Sequence, residues 1–82
     1  MKTQYFKKGT EIIKEGTSSD CAYIIESGRV QVSKTLSNGE EQVIGILEEN
    51  DIFGEMSLID SLPRSATVLA LEDCTISVMT QE

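Results

Sequence analysis

The charged side chains best suited to holding a small ligand, Glu55 and Arg64, fall within one stretch spanning residues 53–68. Phe53-Gly54-Glu55-Met56-Ser57-Leu58 opens it, a single helical turn is expected next, Pro63 breaks that turn, and Arg64 stands where a strand should begin. Backbone amides reachable past a glycine at a helix start, together with the helix dipole, favour an anion such as phosphate. A guanidinium can grip two phosphate oxygens at once. Glu55 sharpens the expectation: a carboxylate beside a phosphate is unfavourable unless donors meet it, and sugar hydroxyls are such donors. The competing interpretation is an ordinary turn with a solvated arginine and glutamate.

Composition narrows what else the chain can do. Its 82 residues suit one small domain and not two cores. Apolar residues are 39% of the chain, mostly aliphatic, with no Trp, two Tyr and two Phe. That supports a modest β-rich core. The net charge of −7 argues against a nucleic-acid surface, which needs basic patches, and equally against an anionic membrane. With no histidine there is no imidazole for acid-base catalysis or metal binding. Cys21 and Cys74 lie too far apart in sequence for a close-spaced zinc motif and read as buried thiols in preference to a disulfide. No signal peptide is visible, and no apolar run approaches the roughly 20 residues of a membrane span. A cytoplasmic location is the expectation.

The elements that must carry the 53–68 stretch are strands. Tyr5-Phe6-Lys7-Lys8-Gly9 reads as a strand entering a turn, and residues 10–16 as a second strand ended by its glycine. Residues 21–26 and 29–34 follow, joined by a tight Ser27-Gly28 turn; the latter alternates polar and apolar as a half-buried strand does. Asn38-Gly39 signals a hairpin, because both positions tolerate positive φ. Residues 41–47 return, with Gly45 marking either a bulge or a close backbone approach. A polar turn at 48–51 precedes Ile52-Phe53, strands at 65–71 and 74–79 complete the set, and the acidic residues Glu48, Glu49, Asp51, Glu72 and Asp73 read as solvated turns. Turn clusters this regular predict a mainly β fold, either a β-sandwich or an eight-stranded antiparallel jelly-roll (a double-stranded β-helix), with one short helix in the 53–68 stretch.

With these motifs in place, the chain resembles the cyclic-nucleotide-binding domain of catabolite-activator-type regulators, cyclic-nucleotide-dependent kinases and nucleotide-gated channels. The resemblance rests on Phe6-x-x-Gly9-x-x-Ile12-x-x-x-Gly16, Tyr23-x-Ile25-x-x-Gly28-x-Val30-x-Val32, the Phe53-Gly54-Glu55 run and Pro63-Arg64-Ser65-Ala66-Thr67-Val68. It covers nearly the whole chain. It implies a regulatory, non-enzymatic module whose ligand is cAMP, possibly cGMP, with no resident cofactor and no metal. Glu55 would accept from the ribose 2′-hydroxyl and Arg64 would pair with the cyclic phosphate. Backbone amides near Gly54, Ser57 and Ala66 would complete the phosphate cradle, Met56 lies within it, and Ser65 could add its hydroxyl. Val32, Ile44, Gly45 and Leu47 match positions lining the sugar and base. Leu58 matches a relay leucine that packs against a lid helix.

Two departures qualify the resemblance. The sequence ends soon after the last strand, so the family's C-terminal lid helices are expected to be lacking from this single 1–82 module. Leu58, Ile59 and Leu62 would then form an apolar patch for a homodimer partner or another docked domain. Ser65 after the arginine tilts the base preference towards cAMP. A nucleotide-independent dimerisation module on the same fold is the alternative function, and a metal-dependent enzyme on a similar roll is the remote third.

Overall fold

The computed structural model describes residues 2–18, 21–54 and 64–80, which form eight strands and, among those residues, no helix. In chain order they are β1 (Lys2–Phe6), β2 (Glu11–Ile13), β3 (Ala22–Ser27), β4 (Val30–Thr35), β5 (Glu41–Leu47), β6 (Ile52–Phe53), β7 (Thr67–Ala70) and β8 (Cys74–Met79). Two four-stranded antiparallel sheets result, one ordered β1-β8-β3-β6 and the other β2-β7-β4-β5. This is the expected mainly β roll. The helical turn expected after Gly54 lies outside the described residues, as do Leu58, Ile59 and Leu62.

The core fills the space between the sheets. Ile13, Val30, Val68 and Ala70 from one sheet meet Ile25, Phe53, Cys74 and Ile76 from the other, all nearly excluded from solvent. On β8 the alternation of Cys74, Ile76 and Val78 follows the two-residue strand period, so every second side chain enters the core. Phe6, Tyr23, Val32 and Leu47 pack around its margin.

Three β-bulges reset which side chains point inward. Glu11 pairs with Leu69 but Ile13 with Val68, so Ile12 is the inserted residue and both isoleucines reach the core side. A second extra residue falls at Glu26 between the Ile25 and Ser27 registers. The third is Ile44: Val32 faces Gly45 while Ser33 faces Val43. The bulge alternative for Gly45 is the one observed, and a Cβ there would meet nothing within 4 Å.

Several boundaries differ from expectation. The first strand starts at Lys2, and Lys7 and Lys8 belong to the turn. The polar Lys2-Thr3-Gln4 run is strand because β8 supplies its ladder partners, Val78, Ser77 and Ile76. Strands expected at 10–16 and 65–71 shorten to Glu11–Ile13 and Thr67–Ala70. At the hairpin only Gly39 has positive φ, at 89°. Leu36 and Glu40 close a three-residue loop, and Asn38 Oδ1 accepts from the Glu40 amide at 2.9 Å. Asn38 therefore holds the turn through its side chain and not through a left-handed backbone. The acidic turns also do more than face water. Asp51 accepts from the Glu48 amide, Asp73 from the Lys8 amide, and Glu72 pairs with Arg29 at 3.2 Å.

Candidate ligand site around Arg64

Arg64 is 6% exposed, an unusual state for arginine, which is almost never fully buried unless its charge is paired. Its backbone is fixed first. The Arg64 amide donates to Thr17 O and its carbonyl accepts from the Gly16 amide, both at 2.8 Å, which ties it to the turn after β2. Its head is fixed next: Nη1 donates to Gly54 O at 3.0 Å and Nη2 to Cys21 O at 2.7 Å. Beneath these bonds lies an aromatic shelf. The guanidinium carbon sits 5.9 Å from the Tyr23 ring centroid, and Tyr23 stacks on Phe53 at 4.9 Å and 15°.

Gly54 is where local backbone chemistry permits this arrangement. Its φ is +76°, a region costly for residues with a Cβ, and an added Cβ would lie 2.7 Å from Arg64 Nη1. Phe53 and Gly54 are neighbours in the chain. One supports the ring that underlies Arg64, and the other supplies a carbonyl that grips it.

The expected site residues fall into two groups. Gly54 and Arg64 are brought into direct contact, with Ser65 exposed and Ala66 half-buried just before β7. Val32, Gly45 and Leu47 share the inward face of the β4–β5 pair with Val30, while Ile44, at the bulge, is 54% exposed. Ile44 is therefore no part of the core. Glu55, Met56, Ser57 and Leu58 lie outside the described residues. Cys21, Thr17 and the Tyr23 shelf were not singled out as ligand-site parts from sequence. Backbone carbonyls leave no signature there, and Tyr23 reads simply as a core aromatic.

Neither cysteine is in a disulfide, as expected. Cys74 is buried and Cys21 only half so. Burial pushes the Cys74 thiol above its usual value, helped by the nearby charges of Glu72 and Asp73. Among the described residues no cluster of His, Cys, Asp or Glu could hold a metal, and no helix is long and apolar enough to cross a membrane.

A two-sheet antiparallel roll that clamps a buried arginine with one backbone carbonyl just after β6 and another just before β3 defines a small-ligand receptor module. The cyclic nucleotide-binding domain model matches residues 3–82, and the chain belongs to that family. It is 43% identical over 68 residues to a cAMP-dependent protein kinase regulatory subunit of Yarrowia lipolytica, covering 83% of this chain and 17% of that protein. It is 32% identical over 77 residues to the cyclic AMP receptor protein of Thermus thermophilus, covering 94% and 36%. Among solved structures, the cAMP-bound form of the EAL enzyme Bd1971 superposes with a TM-score of 0.91 at 46% identity, over 98% of this chain and 22% of that one. The Thermus thermophilus catabolite activator protein superposes at 0.94 with 30% identity, over 98% and 38%. This chain therefore spans only a minor part of each of these relatives.

Proposed function

We propose that residues 1–82 act as one non-enzymatic sensing module that binds a cyclic purine nucleotide, cAMP ahead of cGMP, in a cytoplasmic regulator. The observation that carries this is the clamped guanidinium. Arg64 is a planar fork held by two backbone carbonyls, so little ordering entropy is lost when it meets a phosphate. In this reading Glu55 takes the ribose 2′-hydroxyl. Gly54, Met56, Ser57, Ser65 and Ala66 surround the phosphate, and Val32, Ile44, Gly45 and Leu47 face sugar and base. Leu58 passes the change to a neighbouring helix or domain, which is allosteric only where that element has two states the ligand distinguishes. Support for the base preference is Ser65 together with the cAMP named for several relatives, although Bd1971 also has a cGMP-bound form.

Competition among cAMP, cGMP and 5′-AMP on the intact chain tests the assignment. The expected order is cAMP, then cGMP, with 5′-AMP weakest because an open phosphate carries different charge and shape. Equal displacement by 5′-AMP and cAMP would remove the cyclic phosphate from the proposal, and cGMP leading would reverse the base preference.

A further inference from the structure

We propose that Tyr23 is a positioning residue for Arg64, its ring acting as a cation–π shelf that sets the plane and height of the guanidinium. The inference rests on the assignment of Arg64 to the phosphate, and adds a determinant of affinity that touches no ligand. Three observations carry it. First, the guanidinium carbon lies 5.9 Å from the ring centroid, within the reach at which a ring face attracts a cation. Second, the ring is itself immobilised, stacked on Phe53, which is 6% exposed, and paired with it in register between β3 and β6. Third, the two carbonyls that grip Arg64 flank the same two aromatics in the chain: Cys21 precedes Tyr23 by two residues and Gly54 follows Phe53.

The pieces complement one another physically. The two carbonyl bonds direct the fork sideways, and the ring face below the guanidinium restrains it from a second direction. Because burial removes competing water, the attraction is stronger here than on an exposed surface. Tyr23 is thus more than core filler: its π-electrons, and not only its volume, keep the fork at the height a phosphate needs.

The test separates electrons from shape. Phenylalanine and progressively fluorinated phenylalanines are placed at position 23 of the intact chain, and cAMP affinity is measured by calorimetry. Tyr23→Phe should bind within about twofold of the parent, since the ring face is retained. Affinity should then fall stepwise with fluorination, by severalfold and at most about thirtyfold, because fluorine drains the ring face while nearly conserving its outline. Equal affinity across the series overturns the proposal. A second readout stands apart from nucleotide binding: the Arg64 side-chain N–H resonances of the free chain, which a ring face shifts upfield. Movement of those resonances with fluorination supports the shelf, and unmoved resonances overturn it. If the parent chain binds no nucleotide, the assignment of Arg64 to the phosphate fails and the resonances alone decide the role of Tyr23.

Discussion

Gly54 and Arg64 are fitted to each other: the glycine carbonyl accepts from Nη1 at 3.0 Å, while a Cβ on that glycine would stand 2.7 Å from the same nitrogen. No other residue type supplies the bond without evicting its donor. Gly54→Ala should therefore displace the guanidinium and lower cAMP affinity at least about tenfold. The positive φ adds roughly 1–2 kcal/mol of destabilisation. Calorimetry and urea unfolding measure the two effects separately.

The guanidinium of Arg64 holds structure as well as charge. Arg64→Lys keeps a cation but loses the planar fork that reaches Gly54 and Cys21 simultaneously. Affinity should drop nearly as far as in Arg64→Ala, on the order of a hundredfold, since each charge-assisted bond is worth about 1.5–3 kcal/mol. A lysine variant that binds like the parent would mean that charge alone suffices.

The bulge at Ile44 makes a prediction about faces. Because it inserts one residue, Val43 and Ile46 both share the outer face with Ser33 and Gln31, although they are three positions apart. Both are more than half exposed. Val43→Ser and Ile46→Ser should each change stability by no more than about 0.5 kcal/mol. Leu47→Ala, on the inward face beside Val30, should cost about 2 kcal/mol or more. Urea unfolding of the three variants distinguishes them.

Much of this was legible in the sequence, and the misses have physical causes. Gly9, Gly16, Gly28 and Gly39 punctuate strands because each takes a positive φ, and such turns are visible in composition. Of the bulges only the one beside Gly45 is, since adjacent Ile12 and Ile13 look identical whether one or both enter the core. The start of β1 at Lys2 was missed because a polar edge strand owes its pairing to β8, far along the chain. At the site, Gly54 and Arg64 announce themselves by residue type. The role of Cys21 belongs to its carbonyl, which every residue possesses, and that of Tyr23 depends on what lies above the ring.

Cys74 confers a pH dependence. Burial raises its thiol pKa above the usual value of 9.0, so the folded chain keeps its proton where the unfolded chain has begun to lose it. Its contribution to stability is full below about pH 9 and drains as pH rises from there through the folded-state value. Cys74→Ala should flatten this alkaline decline. In the parent, Cys74 should resist alkylation until the chain unfolds, which peptide mapping after iodoacetamide treatment would detect.

Calorimetric titration of the intact chain with cAMP, beside an Arg64→Ala control, bears most directly on the central claim. Saturable binding to the parent, weakened on the order of a hundredfold by the substitution, is the predicted result. No saturable heat up to about millimolar nucleotide, an affinity of only about −4 kcal/mol, would contradict it, as would binding indifferent to Arg64.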